Sequence, residues 1–178
     1  MRQPGREVEN GVAVARVMNR DWRSNIGFLE LVEFVGTESG IRTVDRVMRS
    51  FEGVDALIFD LRVSRGGDAE MVKKLSSYLF AERTHLLGAL QRKDADGRRD
   101  TIERWTTPVA ISKAFADVPV YILLGSETFS AAESFSFGLK RTGRATLVGG
   151  ATAGGGHTNA FFELAGGFGV PPPLLQRG

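Results

Sequence analysis

The run Asp55-Ala56-Leu57-Ile58-Phe59-Asp60-Leu61-Arg62 constrains the fold more than any other stretch of the chain. It is short, apolar and without strict alternation, the pattern of a strand covered on both faces inside a parallel sheet, which must be followed by a crossover helix. Val63-Ser64-Arg65 then lead into Gly66-Gly67, and a helix is expected from about Asp68, where Met71, Val72, Leu75 and Leu79 recur at helical spacing. The unit is strand, glycine turn, helix.

A second unit of this kind begins at Pro119-Val120-Tyr121-Ile122-Leu123-Leu124 and continues into Glu127-Thr128-Phe129-Ser130-Ala131-Ala132-Glu133, which opens another helix. A serine on a tight strand-to-helix turn projects its hydroxyl from the carboxyl edge of the sheet, beside the unpaired N–H groups of the first helical turn, which can stabilise an oxyanion. Serine nucleophiles are presented in this way. Ser130 and Glu133 also have the S-x-x-E spacing of a capping box, in which both side chains merely satisfy the helix end. In an open α/β sheet the loops at the carboxyl ends of parallel strands lie on one edge, where ligands bind. Gly66-Gly67 and Ser130 therefore share an edge. If their strands are neighbours, an N–H of the glycine turn and that of Ala131 converge on a carbonyl oxygen attacked by Ser130; otherwise the glycines serve a tight turn.

Elsewhere, Val12-Ala13-Val14-Ala15-Arg16-Val17 and Ile26-Gly27-Phe28-Leu29-Glu30-Leu31-Val32 read as successive strands joined by a polar turn through Asn25. Ile41, Val44, Val47, Met48 and Phe51 predict a helix stopped by Gly53. The polar stretch 91–100 reads as a surface loop, and Trp105 beyond it lines a pocket or covers the core, the core being the favoured place. Residues 160–164 and 168–170 predict a hairpin about Ala165-Gly166-Gly167, followed by Pro171-Pro172-Pro173.

The composition narrows the function classes. With 178 residues the chain is long enough for one domain with a substantial core, and residues 1–178 are read as such. Lys and Arg number 23 against 21 Asp and Glu, and the cations are dispersed, so nucleic acid is not an expected partner. No cysteine is present, which removes disulfides and thiolate metal sites, and no carboxylate–histidine cluster has metal-ligand spacing. The glycine loop 149–156 lacks both a Gly-Lys-Ser/Thr ending and a regular G-x-G-x-x-G, so it is no phosphate cradle. Neither a metal nor a cofactor is expected. No segment approaches the roughly 20 apolar residues of a membrane span, and Met1-Arg2-Gln3-Pro4-Gly5 has no signal core; as written, the chain reads as soluble and cytoplasmic.

Four blocks give the chain a family resemblance: Asn25-Ile26-Gly27-Phe28-Leu29-Glu30-Leu31, the segment from Asp60-Leu61-Arg62 to Gly67, Thr128-Phe129-Ser130-Ala131-Ala132-Glu133, and Gly143-Arg144-Ala145-Thr146-Leu147-Val148-Gly149 running on to Gly154-Gly155-Gly156-His157. In this order they resemble the tail-specific (C-terminal processing) serine proteases, a family that includes the tricorn core protease and the modules of interphotoreceptor retinoid-binding protein. The resemblance implies an α/β fold of the Clp protease and crotonase type, with a parallel sheet, crossover helices and small β-hairpins. It also implies Ser130 as nucleophile, the N–H groups of Gly66 and Ala131 as oxyanion hole, and a peptide or protein as substrate. Gly67, Arg65, Thr128 and Phe129 flank these positions and are the candidate substrate contacts. Relatives carry an amino-terminal helical region and a carboxyl-terminal tail with a supporting glutamate, neither of which the sequence contains; a fragment of an exported precursor is then expected.

The base is the open question. Members with a Ser/Lys dyad carry Phe-Gly-Lys-Gly where this chain has Ala153-Gly154-Gly155-Gly156, so Gly155 replaces the lysine. Lys140 is ten residues into the helix that Ser130 begins, about 15 Å along the axis and too far for proton transfer. The stretch matching another branch's Asn-His-Gly-Phe reads Glu9-Asn10-Gly11-Val12, and asparagine cannot accept the proton. Of the two histidines, His85 follows a helix and reads as structural, whereas His157 closes the glycine loop on the carboxyl edge and is the candidate base. Arg65 stands where relatives have glycine or proline, and places a cation at the mouth of the site that binds a substrate carboxylate or is simply solvated. Two further readings remain: a non-catalytic module whose apolar cleft takes a hydrophobic small molecule such as a retinoid or fatty acid, and a crotonase-like acyl-thioester enzyme.

Overall fold

The computed structural model describes residues 7–21, 24–93, 99–155, 162–164 and 168–170. In chain order they form β1 (Val12–Asp21), β2 (Ser24–Leu31), α1 (Glu38–Ser50), β3 (Ala56–Asp60), α2 (Ala69–Ser77), β4 (His85–Lys93), β5 (Arg99–Trp105), α3 (Ser112–Phe115), β6 (Val120–Leu124), α4 (Ala131–Arg141), β7 (Thr146–Gly149), β8 (Phe162–Leu164) and β9 (Phe168–Val170). The central sheet has the order β1-β2-β3-β6-β7. β1 runs antiparallel to β2, and every other pair in the sheet is parallel. The expected α/β architecture with crossover helices is therefore present, and two small hairpins, β4-β5 and β8-β9, stand apart from the main sheet.

β3 and β6 are neighbours, with Leu57 opposite Val120 and Asp60 opposite Leu123. One face of β3 carries Leu57 and Phe59, fully buried beneath α2 and α4, whose Met71, Val72, Leu75, Ala132, Phe135 and Leu139 fill the same cluster. Phe135 is the hub. Its ring lies 5.7 Å from that of Phe34 and 5.4 Å from that of Phe59, the latter edge-on at 76°, an arrangement that adds to the area buried. It ties α4 to the sheet.

Helix boundaries follow their caps. Asp68 accepts from Glu70 N at the start of α2, Thr37 accepts from Gly40 N at the start of α1, and Gly53, with φ +83, reverses the chain after α1. Three expectations need correction. Asn25 is not the turn but a residue of β2, paired with Asn19. The polar stretch 91–100 is partly strand: Gln91, Arg92 and Lys93 pair with Thr101, Asp100 and Arg99. Polarity does not separate a loop from a strand of an antiparallel hairpin, one face of which can meet water. Trp105 is absent from the core; it is half-buried, with the Arg83 guanidinium 4.4 Å from its ring centre, where stacking on a cation replaces packing.

α1 and α2 are joined by a polar link. The Asp45 carboxylate accepts from Lys74 Nζ at 2.8 Å and from the Tyr78 hydroxyl. Partial burial would raise the Asp45 pKa, but the hydrogen bonds from Lys74 and Tyr78 outweigh it and hold the carboxyl below its ordinary 3.8. A carboxyl depressed in the folded state contributes stability above its unfolded value and loses it as pH falls through the folded one. Asp45→Asn is thus expected to cost about 1 kcal/mol at pH 7, a partly exposed pair, with the difference closing as pH drops below the carboxylate range. Urea melts of both proteins across pH check this; a pH-independent gap would exclude the ionised carboxylate as its source.

Candidate functional site

Three loops leave the carboxyl ends of the adjacent strands β3, β6 and β7: residues 61–68, 125–130 and 150–155. The first is strapped to the chain leaving β2. Arg65 N donates to Val32 O at 3.2 Å, Phe34 N to Gly66 O at 2.7 Å, and Asp68 N to Phe34 O at 2.7 Å. Gly67 has φ +131, and a Cβ there would lie 2.4 Å from Phe34 O, so close backbone approach demands glycine. At the root of the loop the buried Asp60 carboxylate accepts from Arg62 Nε at 3.0 Å, its terminal nitrogen at 2.7 Å and its backbone N at 3.1 Å. These bonds raise the pKa of the Arg62 guanidinium above its ordinary value.

The second loop is sewn to the first. Thr128 is fully buried; its hydroxyl donates to Leu61 O at 2.8 Å and accepts from Gly125 N at 3.0 Å. Phe129 N donates to Ser64 O at 3.0 Å. Thr128 therefore holds the turn, its hydroxyl committed within the protein. The two turns meet so closely that a Cβ at Gly66 would sit 2.7 Å from Ala131 N, Phe129 O and Ser130 Cβ alike. Neither Gly66 N nor Ala131 N donates to an acceptor among the described residues. Both residues thus lie where the two turns touch, next to the half-buried Ser130.

Ser130 itself is strained. Its φ of 55° and ψ of −117° place it in a region that L-residues seldom occupy, and Asn10 is the other non-glycine residue of positive φ among those described. Such a backbone costs on the order of 1–3 kcal/mol and persists only where the surroundings over-determine it. Here Ser130 N is held at 2.7 Å by Glu133 Oε2, and Phe129 N by Ser64 O. The capping box expected from S-x-x-E is formed. It does not exhaust what Glu133 does.

The third loop is latched by that same carboxylate. Glu133 Oε1 accepts from the Thr152 hydroxyl at 2.6 Å and Gly154 N at 2.8 Å, and Oε2 from Gly155 N at 2.8 Å in addition to Ser130 N. Ala153 N donates to Thr128 O at 3.0 Å. Sequence reading found only the local arm of this arrangement, because the other three donors lie far along the chain. A Cβ on Gly155 would be 1.7 Å from the Phe129 ring. The Phe129 ring thus occupies the space that a side chain at position 155 would enter.

Beside Ser130 opens a cavity of about 310 Å³ lined by Arg65, Ser126, Glu127, Phe129 and Ala153. Arg65 and Glu127 form an ion pair of 3.0 Å within that lining. Lys140 lies exposed near the far end of α4, and His85 begins the separate β4-β5 hairpin. His157 lies outside the described residues. Among the described residues no group of three or more His, Cys, Asp or Glu is arranged to hold a metal ion, and no helix is long and apolar enough to cross a membrane.

Comparisons with known proteins agree with this fold. A carboxyl-terminal-processing protease of Synechocystis sp. (strain ATCC 27184 / PCC 6803 / Kazusa) is 29% identical over 148 residues, covering 82% of this chain and 32% of that protein. A protein of the same name from Picosynechococcus sp. is 25% identical over 147 residues, with 82% and 33% covered. The chain thus spans about a third of the length of the curated relatives it matches. The solved photosystem II D1 C-terminal processing protease superimposes with a TM-score of 0.64 at 23% identity, over 92% of this chain and 40% of that one. The model of peptidase family S41 matches residues 25–173, which take in the parallel strands of the sheet and all three loops but not β1, and the chain belongs to that family.

Proposed function

We propose that this chain carries the catalytic core of a serine peptidase in which Ser130 is the nucleophile. Its Oγ attacks the carbonyl carbon of a peptide bond, and the carbonyl oxygen gains negative charge as the tetrahedral intermediate forms. The N–H groups of Gly66 and Ala131 donate hydrogen bonds to that oxygen as an oxyanion hole. Collapse expels the amine with the proton taken from Ser130, and water then attacks the ester to free the acid and restore the hydroxyl. Preorganised donors of this type contribute about 3–4 kcal/mol per donor to the transition state.

One observation carries the reading: a strained serine whose turn abuts Gly66, with both neighbouring N–H groups lacking a described acceptor. Strain on a serine needs a reason beyond capping, because an N-cap ordinarily sits in the β region without cost.

The base we propose is His157. Glu133 has both oxygens occupied by four donors and Lys140 lies at the far end of α4. Gly155, latched to Glu133, is two residues from His157, and two residues of chain span no more than about 7 Å. A fluorophosphonate probe is expected to label the wild type and to spare Ser130→Ala, while His157→Gln labels at least tenfold more slowly at pH 7, within the range of general-base effects. Equal labelling of wild type and Ser130→Ala would remove Ser130 from the chemistry.

A further inference from the structure

The cavity beside Ser130 has a chemical asymmetry that bond cleavage alone does not use. Phe129 and Ala153 give it apolar walls, and Arg65 is the cation in its lining. Arg65 immediately precedes Gly66, and its own N–H is fixed to Val32 O, so the origin of the side chain is as rigid as the turn itself. The side chain is 78% exposed and engages Glu127 through one terminal nitrogen at 3.0 Å, with Glu127 42% exposed. A guanidinium has five N–H donors arranged to grip a carboxylate with two. A single-point, exposed ion pair is weak and easily exchanged.

We infer that Arg65 is a specificity-determining residue that captures a peptide carboxylate, either the chain-terminal one or that of an Asp or Glu side chain. The incoming carboxylate displaces Glu127 and takes the two-pronged contact, while an apolar part of the peptide lies against Phe129. Glu127 is the resident competitor. It keeps the cation turned into the cavity when no peptide is bound and lowers apparent affinity for acids by the same interaction. This assignment rests on the reading of Ser130 as the site of cleavage for its location, though not for its chemistry.

Binding is therefore read in Ser130→Ala protein, by fluorescence anisotropy with three dye-labelled peptides of one parent sequence: a free carboxylate end, an amidated end, and an amidated end with an internal Asp. Arg65→Gln is expected to weaken the carboxylate peptides about tenfold or more, the range for a hydrogen bond to a charged group, and to leave the plain amide unchanged. Arg65→Lys, which keeps charge without the fork, should fall between them. Glu127→Gln is expected to tighten the carboxylate peptides severalfold at low salt. Whichever acid peptide shows the Arg65 dependence identifies the source of the carboxylate. Equal losses for acid and amide in Arg65→Gln, or no tightening in Glu127→Gln, would overturn the assignment. Because cleavage is not part of this measurement, a wild type that no serine probe labels would sink the nucleophile and leave the Arg65 result standing.

Discussion

Gly66→Ala is expected to reduce kcat/KM by about 10³-fold and to destabilise the fold by about 2–4 kcal/mol. Two effects combine. At φ +89 an alanine is strained wherever it is put, and the added methyl would also meet Ala131 N, Phe129 O and Ser130 Cβ at 2.7 Å. None of these is a flexible side-chain end, so the turns must separate, carrying the Gly66 and Ala131 N–H groups off the oxyanion position proposed for them. Losing one oxyanion donor alone costs on the order of 10²–10³ in rate. Gly53→Ala supplies the control: Gly53 has φ +83 with nothing within 4 Å of the added Cβ. That variant should lose about 1 kcal/mol in urea unfolding and retain its activity. If Gly66→Ala behaved like Gly53→Ala in both assays, the contact between the turns would have no part in catalysis.

The second large effect is expected at Glu133. Its carboxylate receives Ser130 N, the Thr152 hydroxyl, Gly154 N and Gly155 N, at 2.6 to 2.8 Å. Glu133→Ala strands donors from three places at once and removes the negative charge from the first turn of α4, so a loss of about 2–4 kcal/mol is expected, discounted for the exposure of Gly154. Serine-probe labelling should disappear with it, since the strained Ser130 backbone loses a hydrogen bond that holds it. Glu133→Gln is expected to do little better, because an amide presents one acceptor oxygen and turns a donor toward donors. Amide hydrogen exchange gives the discriminating readout: Ser130, Gly154 and Gly155 should exchange faster in Glu133→Ala even where the β3 and β6 amides remain protected. Unchanged exchange at Gly154 and Gly155 would mean that Glu133 is only a helix cap.

What could be read in advance followed from periodicity and local chemistry. The apolar runs of β3 and β6, the helical spacing of Met71, Val72 and Leu75, and a helix start near Asp68 are statements about residues within one turn or one strand of each other, and they lie where expected. The adjacency of β3 and β6 could be stated only as a condition, because strand order depends on packing between segments some sixty residues apart. For the same reason the latch on Glu133 and the closure of Gly155 by Phe129 were illegible: donor and acceptor, ring and glycine, carry no mark of each other in the sequence. Trp105 was misread because size and apolarity favour burial on average, whereas its neighbour Arg83 offers a cation to stack upon. The strand at Arg92 and Lys93 was illegible because charge does not report backbone conformation.

The pairing of Leu57 with Val120 has a consequence for the life of the chain before it is folded. During synthesis β3 leaves the ribosome well ahead of β6, with α2 and the β4-β5 hairpin made in between. Parallel pairing across such a separation forms late, after the local helices. Until it forms, Ser130 has neither its unusual backbone angles nor Gly66 beside it, and is an ordinary hydroxyl. Under the mechanism proposed for Ser130, a nascent or partly unfolded copy thus lacks the geometry to cleave its neighbours.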